Sequence, residues 1–214
     1  MLSLPPSDFA ETCSGDPRNG KVKWPPNLTE LQINSFLPPA AWWSEIASHW
    51  PKTLHSLIIR DCRNYETLVQ ETVCSTLYPQ ITSLRVDAIH SCPETYWITM
   101  FPELRFLSIP GQAMEMTFWW LIEKKKGIPQ LEQLELTQYG EETSNFSTSR
   151  LITQMVPWLP RLWQIQIHES YEEFDDIWAD CQDATNLLKK RVKEHNQDAG
   201  QAIHDLDDVG VLFF

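Results

Sequence analysis

The amino-acid sequence predicts an α/β solenoid of about six parallel strands, with helices on its convex side and a capping helix at its C-terminal end. Three observations predict this fold: a short aliphatic motif recurs six times, a proline precedes each copy, and segments able to form helices separate the copies. One repeat of this kind cannot bury its apolar face alone, so stacked repeats share a continuous core.

The motif has the form aliphatic-x-x-aliphatic-x-aliphatic, where x stands for any residue. Its second and third aliphatic residues alternate as in a strand and share the inward face, whereas the first lies on the preceding turn. Successive copies start 23 to 31 residues apart, close to the period of leucine-rich repeats. The six copies occupy residues 28–33, 54–59, 81–86, 104–109, 131–136 and 162–167.

Prolines and helical patterns fill the intervals between the predicted strands. Proline disfavours helical backbone in the residue before it, and therefore ends each preceding helix. In the third interval, Met114, Phe118, Leu121 and Ile122 recur at helical spacing and are predicted to face the core. The prolines are Pro26, Pro51, Pro79, Pro102, Pro129 and Pro160. The predicted helices span residues 40–50, 66–78, 114–125 and 149–159.

Both ends of the chain depart from the repeat, as the ends of a solenoid must if its core is to be covered. Ser170 and Glu173 have the spacing of a capping box, and the apolar residues that follow predict a helix over 171–195. The acidic and apolar tail that ends at Phe214 is expected either to fold back onto the core or to dock a partner. The sequence predicts three parts: residues 1–23 as an N-terminal cap or disordered segment, 24–170 as the leucine-rich-repeat solenoid, and 171–214 as the C-terminal capping helix and tail.

The composition argues against several function classes. A formal charge of −12 disfavours a nucleic-acid partner, because phosphate binding requires clustered Lys and Arg. No apolar stretch is long enough for a membrane span. Five scattered cysteines without a CxxC pair indicate neither a zinc site nor a disulfide framework, and the start of the chain shows no secretory pattern. We therefore expect an intracellular protein, in the cytoplasm or the nucleus.

No grouping of residues in the sequence has the pattern of an active site. The six histidines show neither metal-ligand spacing nor a serine or cysteine motif. The acidic pairs Glu172-Glu173 and Asp175-Asp176 fall in the first turns of a predicted helix, where the helix dipole accounts for them. With only seven glycines, the chain has no glycine-rich phosphate loop. The sequence predicts a protein that is not an enzyme and has no catalytic, cofactor-binding or metal-binding residues.

If the strands pair in register, the residues between the aliphatic positions form the open, concave face of the sheet. This face mixes amides, charges of both signs and a few apolar residues, which suits a protein or peptide partner. An aromatic residue beside arginines is typical of binding hot spots. The candidate partner-binding residues are Ile58, Arg60, Arg85, Asp87, Phe106, Glu135 and His168.

The size of this surface limits what it can bind. Six strands about 5 Å apart, each exposed over about 17 Å, give an area of roughly 400 Å². A standard interface buries about 800 Å² on each partner. Either the partner is a short peptide, or loops at residues 110–113 and 138–149 contribute to the surface.

Two copies of the repeat resemble a known group of proteins. Residues 24–31 (Trp-Pro-Pro-Asn-Leu-Thr-Glu-Leu) and 50–57 (Trp-Pro-Lys-Thr-Leu-His-Ser-Leu) are similar to the irregular leucine-rich repeats of F-box-type proteins, those of fungi in particular. The resemblance covers about residues 24–170. It implies that the repeats hold a substrate, while in that family the F-box docks the chain on a ubiquitin ligase through its Skp1 subunit.

The resemblance does not extend to the F-box. Only 23 residues precede the first repeat, and Cys62 is the only asparagine or cysteine that follows a motif at the usual position. We therefore expect a non-enzymatic, substrate-receptor-like interaction module without its own F-box. Two alternatives remain: a structural subunit that docks through its C-terminal tail, and an enzyme with an atypical pocket between the terminal cap and the repeats.

Overall fold

The described part of the chain is an α/β fold built on one parallel β-sheet. The structure is a computed structural model, and it describes residues 2–4, 24–34, 49–60, 77–87, 96–123, 127–137, 154–168, 174–199 and 206–213. The strands are β1 (Leu2–Leu4), β2 (Glu30–Asn34), β3 (Ser56–Arg60), β4 (Ser83–Asp87), β5 (Phe106–Pro110), β6 (Gln133–Thr137), β7 (Gln164–His168) and β8 (Gly210–Phe213). Their order in the sheet is their order in the chain, so each motif lies beside the preceding one.

The sheet has two strands more than the six predicted, one at each end. Strand β1 pairs with β2, and β8 pairs with β7. Neither strand carries the full aliphatic motif, so the repeat pattern does not predict them. Val209 and Val211 are only 2% and 3% exposed, so this part of the tail packs onto the core, the first of the two outcomes expected for it.

The repeated aliphatic residues align in columns through the core, as predicted. Pairing places Leu57 beside Leu31 on one side and Leu84 on the other, and it places Ile59 beside Val86. All five side chains are at most 1% exposed. Because full burial of a Leu or Ile side chain contributes about 1.5–3 kcal/mol, these columns are a main source of the stability of the fold.

The prolines lie in the turns that lead into the strands. In most repeats the turn has proline as its second residue and is closed by the backbone N–H of the first aliphatic residue of the motif. The N–H of Ile81, for example, donates to the carbonyl of Tyr78 (3.2 Å) across Pro79, and that of Leu104 donates to Phe101 (3.2 Å). Proline suits this position because its φ is fixed near the value that the turn requires. Its role is therefore to begin the turn as well as to end the preceding segment.

Large buried side chains occupy the position before these prolines. Trp50, Tyr78 and Phe101 are 6%, 3% and 3% exposed, and successive ring centroids lie 5.2 Å and 6.1 Å apart. Ile128 and Leu159 occupy the same position in later repeats and are buried too. The prediction that Trp50 and Tyr78 end helices is wrong, because both lie outside helices. The proline that follows each of them disfavours helical backbone there, and their rings pack in the core.

The helix predicted for the third interval between strands is present. Helix α1 (Gly111–Glu123) begins directly after β5, three residues earlier than predicted, and contacts β5 and β6. Its residues Met114, Phe118 and Leu121 are buried as predicted, at no more than 3% exposed. Their helical spacing therefore placed them correctly in the core.

The other three helices predicted between strands are only partly described. A short 3-10 helix, Val156–Trp158, lies near the end of the predicted segment 149–159, and a second spans Tyr96–Met100. Five parts of the predicted helices lie outside the described residues: 40–48, 66–76, 124–125, 149–153 and 171–173.

Helix α2 (Phe174–Ala199) covers the C-terminal end of the sheet. It begins three residues after the predicted start and ends four residues after the predicted end. It contacts β8 and the 3-10 helix before β7. Its residues Cys181, Ala184, Leu188 and Val192 recur at helical spacing and are at most 5% exposed. No helix among the described residues has both the length and the apolar character needed to cross a membrane.

Candidate functional site

The polar residues between the aliphatic positions share the sheet face opposite α1, because side chains alternate along a strand. We call this surface, formed by strands β2 to β7, the polar face. Strand pairing aligns it as predicted: Arg85 lies beside Ile58 and Ser108, and Ser108 lies beside Glu135. The candidate residues on this face are Ile58, Arg60, Arg85, Asp87, Phe106, Glu135 and His168.

Close contacts between basic and acidic side chains connect the strands of the polar face. Nε of Arg60 donates to Oδ2 of Asp87 at 3.0 Å. Nη2 of Arg85 donates to Oε2 of Glu135 at 3.0 Å, and this contact reaches from β4 across β5 to β6. The other carboxylate oxygen of Glu135 lies 3.1 Å from Nε2 of His168 on β7. Glu135 therefore stands between two basic side chains.

The contact between Arg85 and Glu135 depends on the small residue between them. Ser108 occupies the same row on β5 and is fully buried. Since adjacent strands are about 4.8 Å apart, a bridge over two intervals must pass above the central residue. Because the serine side chain is small, it leaves room for the contact between Arg85 and Glu135. The Ser108 Oγ has no hydrogen-bond partner within the described residues.

The basic side chains on the polar face are more exposed than the carboxylates paired with them. The side chains of Arg60, Arg85 and His168 are 45%, 41% and 42% exposed. Those of Asp87 and Glu135 are 20% and 12% exposed. The carboxylates thus lie deeper, and the outer layer of the face presents the basic groups.

Two predicted contacts on the polar face are less accessible than expected. Ile58 is only 7% exposed and its row neighbour Gln32 is only 4% exposed. Phe106 is partly buried. The prediction of Ile58 as an exposed contact is wrong, because a strand pattern identifies the face of a residue but not how far its neighbours cover it. The accessible part of the face lies around the ion pairs.

The loop predicted at residues 110–113 is not a loop. Pro110 is buried and ends β5, and Gly111 is the first residue of α1. The direct connection leaves no flexible segment there to enlarge the surface. The other predicted loop, residues 138–149, lies outside the described residues.

A glutamine network that was not predicted from the sequence orders the C-terminal edge of the polar face. Oε1 of Gln164 accepts from Nε2 of Gln133 and from Nε2 of Gln166, both at 3.0 Å. Nε2 of Gln164 donates to the carbonyl of Asp208 (3.1 Å), next to β8. Gln164 is only 7% exposed, so its amide needs these partners. The sequence does contain a signal for this network, namely three glutamines at strand positions that share one face of the sheet.

A separate cavity of about 500 Å³ lies between α2 and the turns that lead into β5, β6 and β7. We call it the edge cavity. Arg105, Glu132 and Arg161 line its side on the turns, and Arg191 and His195 line its side on α2. The sequence predicts a pocket between the terminal cap and the repeats only for the enzyme alternative, and none of these residues was predicted to line it. They are distant in the sequence, and only the packing of α2 brings them together.

Arg191 anchors α2 beside the edge cavity. Its Nη1 donates to the carbonyls of Val156 (2.8 Å) and Leu159 (3.1 Å), in the turn before β7. Burial lowers the pKa of the Arg191 guanidinium, and the nearby carboxylate of Glu194 raises it by less. The group stays charged at neutral pH, since an arginine starts from a pKa far above 7.

Replacing Arg191 by methionine is expected to lower the free energy of unfolding by about 1–2 kcal/mol. Methionine retains much of the apolar stem but removes both hydrogen bonds. Each carbonyl keeps a backbone partner, the N–H of Leu159 or of Leu162, which limits the loss. Urea unfolding followed by circular dichroism measures the change. Lys190→Met, one residue away and exposed, is the control and should change stability by less than about 0.5 kcal/mol.

The described residues show no metal centre: no three His, Cys, Asp or Glu side chains among them cluster as ligands. Comparisons with known proteins identify no relative, because no family model, curated protein or solved structure matches the chain. Any function must therefore be argued from the polar face and the edge cavity themselves.

Proposed function

We propose that this chain is a leucine-rich-repeat solenoid without enzymatic activity, and that its polar face binds an acidic segment of a partner protein. The period of the motif, the order of the strands and the buried aliphatic columns support the repeat architecture. The unequal exposure of the ion pairs on the polar face carries the binding proposal.

An approaching segment meets cations before carboxylates on this face. Guanidinium groups bind carboxylates through charge-assisted and often paired hydrogen bonds. Arg85 uses only Nη2 for Glu135 within the described residues, so its other donors are available to a second carboxylate. The chain as a whole carries a charge of −12, which repels an acidic segment from most other surfaces. The basic outer layer of the polar face thus offers such a segment a place to bind.

The area of the polar face indicates a peptide-like segment rather than a broad protein surface. Its six strands give five intervals of about 4.8 Å, and with about 17 Å of exposed strand the polar face covers roughly 400 Å². This area is about half of the ~800 Å² that a standard interface buries on each partner. An extended segment with several carboxylates can use the face fully.

A triple variant of the polar face tests this function. Arg60→Glu, Arg85→Glu and Phe106→Ala reverse its two arginines and remove the partly buried aromatic side chain beside them. We expect affinity capture from the source cell, quantified by mass spectrometry, to recover the specific partners at least tenfold less with this variant than with the unchanged chain. A synthetic peptide copied from the acidic segment of a captured partner should show the same loss in direct binding.

The matched control also reverses two positive charges and truncates one large apolar side chain to alanine, but away from the polar face. Its substitutions are Lys52→Glu, Lys190→Glu and Leu77→Ala. All three residues are exposed. Equal capture by the two variants, both folded by circular dichroism, would overturn the proposal. Recovery of ubiquitin-ligase subunits would extend the role to substrate selection, as the resemblance to F-box proteins implies.

The alternative of a structural subunit that docks through its tail has less support. Val209 and Val211 are buried within the chain, and β8 is already paired with β7. A joint made from these residues would require β8 to leave the sheet. We therefore favour a binding role for the polar face over docking through the tail.

A further inference from the structure

The edge cavity lies along the row of residues that precede the strands. The N–H of Glu132 donates to the carbonyl of Arg105 (2.8 Å), and the N–H of Trp163 donates to that of Glu132 (2.9 Å). These bonds hold the three residues side by side at one edge of the sheet. The last turns of α2 form the opposite wall through Arg191 and Val192. The cavity is therefore fixed by backbone hydrogen bonds on one side and a packed helix on the other.

The arginines of the edge cavity have unused donors. Arg161 makes no hydrogen bond or ion pair within the described residues, and its side chain is exposed. The closest contact of Arg105 with Glu132 is 3.6 Å, beyond hydrogen-bonding distance. Arg191 donates to carbonyl groups through Nη1 only, so the N–H groups of Nη2 and Nε remain able to donate to a ligand. All three guanidinium groups can still donate to a ligand.

The charge balance of the edge cavity favours an anion. Three arginines face one carboxylate, Glu132, in a chain whose net charge is −12. Like charges around one space repel, and an anion placed among them offsets that cost. Leu162, Trp163 and Val192 add an apolar wall. A volume of about 500 Å³ falls in the range of small-molecule sites.

We propose that the edge cavity binds a small organic anion, a carboxylate or a phosphate monoester that carries a flat apolar group. The arginines take the anionic group through charge-assisted hydrogen bonds. The apolar group packs against Trp163 and the aliphatic wall. This site is separate from the polar face and does not depend on the function proposed for it.

Titration with benzoate and phenyl phosphate tests the proposal on the full chain. Both probes carry one ring and differ in the anionic group, and benzamide is the neutral analogue. The indole N–H signal of Trp163, assigned with a Trp163→Phe variant, reports binding in proton–nitrogen NMR spectra. We expect saturable shifts with at least one anion, at an affinity at least tenfold above that of benzamide. The tighter of the two anions identifies carboxylate or phosphate as the preferred group.

Arginine variants localise the binding to the edge cavity. Arg161→Gln and Arg105→Gln should each weaken the anion at least fivefold, and added sodium chloride should weaken it further. Both side chains are exposed, so neither change should disturb the fold. Lys190→Gln, which removes an exposed cation of α2 that does not line the cavity, should leave the affinity within twofold. Absent saturation, equal binding of benzamide, or equal affinities of Arg161→Gln and Lys190→Gln would each overturn the proposal.

Discussion

Replacing Leu107 by alanine is expected to lower the free energy of unfolding by about 2–5 kcal/mol, the range for truncation of a fully buried leucine. Leu107 is the second aliphatic residue of its motif and has no exposed surface. Strand pairing places it between Leu84 and Leu134, which are at most 1% exposed. Neighbours on both sides are held by strand pairing, so they cannot close the cavity that alanine leaves.

Urea unfolding of Leu107→Ala should show a lower midpoint with an unchanged slope, since the surface exposed on unfolding hardly changes. Leu77→Ala is the matched control: the chemical change is identical, but Leu77 is 57% exposed and should cost less than about 0.5 kcal/mol. Leu107→Met, which conserves volume, should cost less than about 1.5 kcal/mol. A Leu107→Ala effect no larger than that of Leu77→Ala would show that the aliphatic columns do not hold the fold together.

The sequence predicts the sheet well because its signal is periodic. Alternation within each motif places Leu84 and Val86 inward, and the repeat period places Arg85 beside Ser108. The two terminal strands were missed because each pairs with a motif strand on one side only and does not need the motif itself. The packing of Tyr78 and similar residues in the core was also not predicted. A residue before proline is expected to end a helix, and the sequence alone does not show where its side chain packs.

The functional sites are less predictable from the sequence, because they depend on how deeply each side chain is buried and on contacts between segments that are distant in the sequence. Arg85 and Glu135 are 50 positions apart, and their ion pair forms only because Ser108 is small enough to be bridged. The burial of Ile58 follows from what surrounds it, which strand alternation does not encode. In the edge cavity, Arg105 and Arg191 meet only because α2 returns to the edge of the sheet. The sequence pattern thus identifies the face of the sheet on which a residue lies, whereas tertiary packing determines which residues form a functional site.

Replacing Gly210 by alanine is expected to cost about 1–3 kcal/mol in backbone strain alone, because its φ of 146° is one that side chains rarely allow. A Cβ at this position would also lie 2.9 Å from Cγ2 of Thr185 on α2. The same threonine accepts a hydrogen bond from the N–H of Val211 at 3.2 Å. The substitution should therefore loosen β8 from α2, and hydrogen exchange at the Val211 amide should become faster as the chain becomes less stable.

Two further variants separate the strain at Gly210 from its steric contact. Gly127→Ala is the matched control, since its Cβ would meet only an ordinary contact at 3.8 Å and its φ is not positive; it should be neutral or stabilising by up to about 1 kcal/mol. Thr185→Ser removes Cγ2 but keeps the acceptor for Val211, so adding it to Gly210→Ala should recover the steric part of the loss and leave the strain. Equal stabilities of Gly210→Ala and Gly127→Ala would mean that the last strand does not require glycine. Because β8 closes the end of the sheet against α2, the cost of Gly210→Ala measures how tightly the last strand is held there.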